Sequence, residues 1–256
     1  MPREGSGPSR FAAEEAPDVT FSSSCDGVLF DYGGTLVTFE YPYDELLEVV
    51  RAFGPSIRAG LGAPAPPAEA ILSDVLLPLE SYIANLGEDE VVYMDVYRAA
   101  WHKAGLKLDD ALLYKILDAE QLCWDRAVRV DPEALHVLGW LGSRGIKRGI
   151  CSNAPFPPEM MRRQLVSNGI SAAVDAAIFS SEVGRRKPAP EVYLAALAAL
   201  GTDPHRTLFV GDRMREDYEG PRAVGMHAAL LAAGQSNDFP DGVPTLASIG
   251  DLPRLL

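Results

Sequence analysis

Six polar residues with reactive side chains stand at, or shortly after, the ends of apolar runs in the sequence. They supply three carboxylates, a hydroxyl, an amide and an ammonium group: Asp31, Ser152, Asn153, Lys187, Asp212 and Asp217. A carboxylate acts as a nucleophile when positive groups nearby stabilise the charge that develops on its target. An ammonium group and a bound metal ion would both supply such charge and would offset repulsion from an anionic substrate. The set is therefore suited to covalent catalysis by a carboxylate.

The apolar runs themselves are short and alternate with helical patterns. We predict strands over residues 27–31, 146–151, 176–179, 207–210 and 226–231, the last leading to a glycine-rich turn at Gly234. Helices are predicted over residues 131–143, 157–169, 188–200 and 216–225. Continuous apolar strands that alternate with helices indicate a parallel sheet covered on both faces, which is a doubly wound, Rossmann-like α/β fold. Ligands of such sheets bind beyond the carboxyl ends of the strands, where the six polar residues lie.

A long segment between the first two predicted strands, residues 37–130, has a helical pattern. Mixed apolar spacing predicts helices over residues 43–59, 67–86, 89–104 and 109–126, with a break or kink at Gly54-Pro55. The predicted organisation is a disordered tail at residues 1–22, an α/β core at residues 23–36 and 131–256, and a helical domain at residues 37–130. Inserted after the first strand, the helical domain would sit above the strand ends as a lid.

The composition of the chain argues against several classes of function. Its 256 residues are 47% hydrophobic and carry a formal net charge of −13, which opposes binding to nucleic acid. The sequence contains no apolar run of the roughly 18 residues that a membrane-spanning helix needs. The first twenty residues lack the apolar stretch that is typical of a secretory signal, and the three cysteines form no metal-binding pattern. We expect a cytoplasmic protein without membrane or nucleic-acid partners, and the oligomeric state stays open.

Four segments of the sequence resemble the four motifs of the haloacid dehalogenase (HAD) superfamily, in the family's order. They read FDYGGTL at residues 30–36, ICSN at 150–153, GRRKPAPEVY at 184–193 and VGDRMRED at 210–217. The helical segment stands where that family carries its C1-type cap domain. The resemblance extends from residue 28 to about residue 231. It implies a Mg²⁺-dependent hydrolase, in the first place a phosphatase of a small phosphorylated metabolite.

The same resemblance implies a role for each motif residue. Asp31 would attack phosphorus and carry an aspartyl-phosphate, Ser152 would hydrogen-bond the transferring phosphoryl group, and Lys187 would stabilise the nucleophile and the developing charge. Further contacts to the phosphoryl group would come from Gly34, Thr35 and Asn153. The metal ion would be bound by Asp31, the backbone carbonyl of Gly33 and Asp212, with Asp217 in support. Magnesium prefers hard oxygen ligands of this kind.

One position departs from the family's pattern. Gly33 stands where the first motif of HAD phosphatases has a second Asp, which protonates the leaving group and later activates water. Loss of a general acid or base typically costs about 10²–10⁴-fold in rate. The protein could act on a leaving group that needs no proton, such as that of an acyl phosphate, or could be a slow or inactive protein that binds a metabolite or partner. A substitute proton donor could also come from the start of the insertion, at Glu40, Tyr41, Tyr43 or Asp44.

Two further interpretations concern chemistry and packing. Phosphonatase-like or dehalogenase-like chemistry is an alternative to phosphatase activity, although Asp212 and Asp217 suit a metal ion that dehalogenases do not use. The arginines close to the last two motifs are expected to be solvated or ion-paired rather than bound to substrate; they are Arg185, Arg186, Arg213 and Arg215. The tryptophans Trp101, Trp124 and Trp140 are expected to serve packing.

Overall fold

The computed structural model describes residues 25–232 and 239–256 of the chain. The predicted disordered tail and the predicted turn at Gly234 lie outside the described residues. Within the two described ranges, every helix is too short or too polar to span a lipid bilayer.

In the described part of the chain, eight strands form one large sheet and one small ribbon. They are β1 (Gly27–Phe30), β2 (Val37–Phe39), β3 (Val128–Val130), β4 (Lys147–Ser152), β5 (Ala176–Phe179), β6 (Thr207–Gly211), β7 (His227–Leu231) and β8 (Thr245–Leu246). The large sheet is parallel and has the strand order β5–β4–β1–β6–β7–β8. The chain builds outward from β1 through β4 and β5, and then returns to the opposite side of β1 with β6. The crevice beyond the carboxyl ends of β1 and β6 is the switch point at which doubly wound folds bind ligands.

Helices cover both faces of this sheet, which confirms the predicted doubly wound α/β fold. The core helices are α6 (Ala134–Ser143), α7 (Pro158–Ser167), α8 (Ser180–Val183), α9 (Pro190–Leu200) and α10 (Gly220–Ala223), and those of the insertion are α1 (Tyr43–Leu61), α2 (Ala68–Ile71), α3 (Leu77–Ala84), α4 (Tyr93–Lys103) and α5 (Asp110–Ala127). Side chains of β1 alternate between the two faces. Phe30 packs in the apolar cluster that includes residues of α6 and α7, whereas Leu29 packs in the cluster that includes residues of α9.

The insertion has an apolar core of its own, formed by residues of α1 to α5 and their connections. Its largest fully buried side chains are Tyr97 and Trp101. The chain passes between the sheet and these helices at two points, and there β2 and β3 pair as an antiparallel ribbon with Val37 opposite Val130. This ribbon was not predicted because each strand has three residues, too few to show an alternating pattern.

Four of the predicted helices differ in detail from those of the structure. Helix α1 runs through Gly54 and Pro55 without the break that was one of the two alternatives there, because the buried residues Val50 and Ile57 on either side anchor it in the apolar core; a kink stays a prediction. The predicted helix 89–104 begins at Tyr93, since residues 88–90 pair with the core segment 184–186 instead. The predicted helices 67–86 and 216–225 contain π-helical turns at Leu72–Leu76 and Met214–Glu219.

Candidate active site

Asp31 lies at the carboxyl end of β1, next to the carboxyl end of β6. Its backbone N–H donates to the carbonyl of Val210 at 2.9 Å, which fixes the residue to β6. The side chain is 7% exposed, and its Oδ1 accepts a hydrogen bond from the backbone N–H of Tyr32 at 2.7 Å. The predicted nucleophile is therefore a nearly buried carboxylate at the switch point of the sheet.

Lys187 is the cation next to this carboxylate. Its Nζ lies 3.0 Å from Oδ1 of Asp31 and 2.7 Å from Oδ1 of Asp217, and the residue is 3% exposed. Burial by itself would lower the pKa of the ammonium group, but the charges of Asp217 and Asp31 outweigh burial and raise it. Lys187 is therefore held protonated between two carboxylates, as an electrostatic group next to a nucleophile must be.

Asn153 fixes the backbone of this lysine. Its Oδ1 accepts from the backbone N–H of Lys187 at 2.7 Å, and its Nδ2 donates to the carbonyl of the same residue at 3.2 Å. These two bonds direct the side chain of Asn153 to the backbone of the lysine. Asn153 also lines the cavity in front of Asp31, and its contact with a phosphate stays a prediction.

Asp217 holds the lysine from the other side and orders the loop after β6. It is fully buried, and its Oδ2 accepts from the backbone N–H groups of Asp212 at 3.1 Å and Arg213 at 3.0 Å. Burial raises the pKa of the Asp217 carboxyl, and the Lys187 ammonium opposes that shift. Gly211 is required here, because a Cβ on it would lie 2.3 Å from Cγ of Asp217.

Asp212 is the carboxylate whose bonding is incomplete. Its Oδ1 is buried and has no hydrogen-bond partner among the described residues. Burial, followed by the charge of Asp31, raises the pKa of this carboxyl. Such a group normally finds a partner in a folded protein, so its isolation calls for an explanation. Oxygens of Asp31, Asp212 and Asp217 lie within 4.8 Å of one another, so a divalent cation between them would supply that partner.

The remaining predicted site residues stand around this group. Ser152 ends β4, is 6% exposed and lines the same cavity as Asp31, Gly33 and Lys187. Gly34 has φ +82°, and a Cβ on it would lie 2.5 Å from Oδ2 of Asp212. Thr35 is buried, and its hydroxyl has no hydrogen-bond partner among the described residues.

A cavity of about 370 Å³ opens in front of Asp31 and is bounded by both the core and the insertion. Its walls are largely apolar, with rings contributed by Tyr32, Phe39, Tyr93, Trp124 and Phe156. From the insertion it also receives the polar side chains of Glu80 and Gln121. These residues were not predicted as site residues. Their spacing indicates amphipathic helices, but it does not indicate which face of each helix packs against the sheet. Trp124 in particular was expected to serve packing alone.

The position of Gly33 is crowded by an aromatic ring. A Cβ on Gly33 would lie 3.0 Å from Cζ of Phe39, and that ring packs edge-on against Trp124 with 6.1 Å between centroids. None of the suggested substitute donors, Glu40, Tyr41, Tyr43 and Asp44, lines the cavity in the described part of the chain. Tyr41 instead donates a hydrogen bond to Glu80 at 3.0 Å.

Glu80 is a carboxyl group in an apolar wall. Burial raises the pKa of Glu80 to about 7, and the hydrogen bond from Tyr41 opposes the shift. At neutral pH the group is therefore close to half protonated. It belongs to helix α3 of the insertion, whereas Asp31 follows a strand of the core.

The arginines of the last two motifs mostly form ion pairs, as the sequence predicted. Arg185 pairs with Asp89, Arg215 with Glu88 at 2.7 Å, and Arg186 with Glu90 at 2.8 Å. Arg186 and Arg213 also line the cavity, which the sequence did not predict.

Comparison with known proteins connects this site to hydrolases. A family model described as haloacid dehalogenase-like hydrolase matches residues 25–225. The phosphoserine phosphatase of Thermus thermophilus is 32% identical over 121 residues, which is 47% of this chain and 47% of that protein, so the match spans about half of that relative. The glyceraldehyde 3-phosphate phosphatase of Methanopyrus kandleri is 26% identical over 237 residues, covering 90% of this chain and 94% of that protein.

Solved structures share the fold at low sequence identity. A HAD phosphatase from Thermococcus onnurineus superposes with a TM-score of 0.58 and 21% identity over 90% of this chain and 96% of that chain. A 2-haloacid dehalogenase from Pseudomonas syringae superposes with a TM-score of 0.62 and 19% identity over 90% of this chain and 97% of that chain. Because phosphatase and dehalogenase both fit, these likenesses support the architecture and do not choose the reaction.

Proposed function

The chain belongs to the haloacid dehalogenase-like hydrolase family, and on that premise we propose that this hydrolase is a Mg²⁺-dependent phosphatase of a small phosphorylated molecule. The observation that carries the proposal is the carboxylate of Asp212, whose Oδ1 is buried without a partner among the described residues and which has an oxygen within 4.8 Å of Asp31, the residue that Lys187 contacts. A dehalogenase has no use for a metal ion at this position. Relatives named as phosphatases of phosphoserine, phosphoglycolate and glyceraldehyde 3-phosphate support the same class of substrate.

Asp31 is the proposed nucleophile. Its carboxylate would attack phosphorus, the bond from phosphorus to the leaving oxygen would break, and that oxygen would depart with the electron pair. Water would then hydrolyse the aspartyl-phosphate, which releases phosphate and restores the Asp31 carboxylate. Lys187 and the Tyr32 amide, both bonded to Oδ1, would orient the Asp31 carboxylate and offset its charge. Ser152 and the amides of Gly34 and Thr35 would bind phosphoryl oxygens.

Magnesium fits the remaining oxygens of this cluster. Asp31, Asp212 and the carbonyl of Gly33 would hold the ion, whereas both oxygens of Asp217 already accept hydrogen bonds and would support the site from behind. When bound, the ion would neutralise charge on the substrate phosphate. The substitution at position 33 leaves this arrangement intact because the ligand is a backbone atom.

The helical insertion, residues 37–130, is proposed to act as a C1-type cap over the α/β core of residues 23–36 and 131–256. The β2–β3 ribbon would be the hinge, since both chain crossings run through it. Closure would exclude water from the cavity in front of Asp31, as lids do in enzymes that protect a reactive intermediate.

The test is phosphate release with Mg²⁺ from a panel of phosphate esters and acyl phosphates. Asp31→Asn is expected to reduce the rate by at least about 10³-fold, because an amide is a poor nucleophile. Asp26→Asn is a matched control: it stands before β1, where its exposed side chain pairs with Arg206 away from the cavity. Equal loss in both variants, or no turnover of any substrate by the wild type, contradicts the proposal and favours a binding protein that has lost catalysis.

A further inference from the structure

We infer that the substrate is an aryl phosphate, whose leaving group is an aromatic ring that carries the ester oxygen and no carboxylate. The inference rests on the proposed phosphatase function and adds to it the identity of the leaving group. Three features of the cavity support the inference: the lack of a side chain at position 33, the aromatic walls, and the distribution of charge.

The first feature is the absence of an acidic side chain at position 33, where the first motif of HAD phosphatases has the Asp that protonates the leaving oxygen; the protonatable Glu80 stands on helix α3 of the insertion. Gly33 offers no side chain, and the ring of Phe39 stands 3.0 Å from where one would begin, which is closer than ordinary van der Waals contact. Trp124 packs edge-on against that ring. An alkoxide is a poor leaving group without a proton donor, whereas a phenolate spreads its charge into the ring and departs without one. The residues at this end of the cavity therefore favour a phenol as the alcohol of the ester.

The second feature is the shape and lining of the cavity. Its volume of about 370 Å³ is within the range of pockets that hold small molecules and exceeds what a phosphate alone would fill. Rings from both the core and the insertion line it, including Phe39, Tyr93, Trp124 and Phe156. Aromatic side chains pack favourably against another ring in edge-on or offset geometry. A planar ring next to the phosphate would have such partners on several sides.

The third feature is where the charges stand. Three basic side chains line the cavity among the described residues, and all belong to the core. Lys187 pairs with Asp31 and Asp217, Arg186 pairs with Glu90, and Arg213 follows the proposed metal ligand Asp212. Among the described lining residues of the insertion, the polar groups are Glu80 and Gln121, with no Lys or Arg. A carboxylate on the leaving group would face Glu80 without a cation from the insertion. The charge distribution therefore favours a neutral or positively charged ring.

The missing side chain also affects the second half of the reaction, because it would activate the attacking water. For an aryl ester, Asp31 attacks phosphorus and the aryl oxygen leaves as a phenolate, which takes a proton from solvent. Hydrolysis of the aspartyl-phosphate then proceeds without the general base that an Asp at position 33 would supply, and it is the slower step. We expect a burst of about one phenol per active site, followed by slow turnover.

The experiment measures rapid product release with phenyl phosphate and its 4-nitro derivative, in the presence of Mg²⁺. Benzyl phosphate is the matched control, because it keeps the ring and has an alkyl ester oxygen. We expect a burst with both aryl esters, no burst with benzyl phosphate or phosphoglycolate, and first-turnover rates at least about 100-fold higher for phenyl than for benzyl phosphate. Equal rates for phenyl and benzyl phosphate overturn the inference and leave the phosphatase function standing.

A pair of variants tests the cause of the preference. Gly33→Asp combined with Phe39→Ala restores a carboxyl and the space for it, and is expected to raise benzyl phosphate turnover by about 10²-fold and to weaken the dependence of the rate on leaving-group acidity. Gly33→Asn combined with Phe39→Ala is the matched control, because it fills the same space without an acid and is expected to give no such rise; Phe39 is 49% exposed, so that both double variants can fold. Unchanged discrimination in the variant with Gly33→Asp contradicts the inference. Absence of turnover with every ester in wild-type protein overturns both proposals.

Discussion

At the scale of single residues, the site depends on two glycines that sit against carboxylates. A Cβ on Gly34 would overlap the side chain of Asp212, and a Cβ on Gly211 would overlap that of Asp217. A methyl group at either position would therefore displace a carboxylate of the proposed metal site. Both glycines belong to motifs identified in the sequence, but their contacts were not predictable. The contact of Gly34 with Asp212 depends on two loops far apart in the sequence coming together, and that of Gly211 with Asp217 depends on how the loop after β6 folds back on itself.

Gly34→Ala tests this crowding. Gly169→Ala is its matched control, because both glycines have nearly the same backbone angle, φ +82° and +81°, and nothing lies within 4 Å of a Cβ at Gly169. We expect each variant to lose about 1–2 kcal/mol of stability from the left-handed conformation. Gly34→Ala should in addition lose thermal stabilisation by Mg²⁺ and most hydrolysis. The measurement is the Tm with and without Mg²⁺, and equal Mg²⁺ responses in both variants would show that Asp212 is not displaced.

The predictability of the site differs between its two halves. Asp31, Ser152, Lys187 and Asp212 were found from the sequence because parallel strands bring their carboxyl ends to one edge. Glu80 and its aromatic neighbours were not found, because the packing of the insertion on the core decides which helix faces meet the cavity. No local pattern in α3 or α5 encodes that choice.

At the scale of elements, helices α4 and α5 are joined inside the insertion by a buried polar contact. Tyr97 donates a hydrogen bond to Glu120 at 3.0 Å, and Glu120 is 5% exposed. Burial raises the pKa of Glu120 to about 8, an effect that this hydrogen bond opposes and the charge of Glu80 reinforces. The carboxyl is therefore protonated in the folded protein at pH values where it is ionised in the unfolded chain.

This contact gives the stability of the protein a pH dependence. Because the folded state keeps a proton that the unfolded state loses above about pH 4.5, the stabilising effect is complete at low pH and disappears as pH rises toward about 8. Glu120→Gln keeps a neutral group of the same shape and should remove several kcal/mol of this dependence, at about 1.4 kcal/mol per pKa unit. Urea unfolding at pH 5 and pH 8.5 measures it. Glu45→Gln, at an exposed position of α1, should show the same pH dependence as the wild type. If the unfolding free energy changes equally between the two pH values in all three proteins, Glu120 is not the source of the pH dependence.

The element predictions succeeded where hydrophobic patterns are long and failed where they are short. Five of the six strands in the large sheet and most core helices were found, since each has a continuous apolar or periodic run. The two-residue strand β8 and the β2–β3 ribbon carry too few residues for a pattern. Continuity of α1 through Pro55 depended on tertiary packing, which a local rule for proline does not include.

At the scale of the whole molecule, the insertion is attached to the core by a short segment that pairs with the third motif. The backbone N–H of Glu90 donates to the carbonyl of Gly184 at 3.1 Å, and that of Arg186 donates to the carbonyl of Glu88 at 2.8 Å. The side chains of Arg186 and Glu90 form an ion pair in which they are 11% and 1% exposed. Ser180 also donates a hydrogen bond to Glu90.

Removing the charge of Glu90 is expected to weaken this attachment. Glu90→Gln leaves Arg186 buried without its counter-charge, for which losses of about 3–5 kcal/mol are typical. Glu88→Gln is the control, because its pair with Arg215 is exposed on both sides and should contribute less than about 1 kcal/mol. Unfolding by urea, together with hydrogen exchange of residues 88–90, measures both effects. A loss of the same size in the two variants would show that the buried pair has no special part in the attachment.

The position of that ion pair has a consequence for ligand entry. The insertion contacts the core through the pair of Glu90 with Arg186, and the next residue, Lys187, contacts Asp31. A single peptide unit therefore connects the insertion's contact to the cation next to the proposed nucleophile. If residues 88–90 separate from the core to admit a ligand, we expect Lys187 to shift with Arg186 and the Asp31 carboxylate to lose its nearest positive charge. The reactivity of Asp31 would then be low while the cavity is open to bulk water and would return when the cavity closes. The protein would therefore react only with a ligand that is already enclosed.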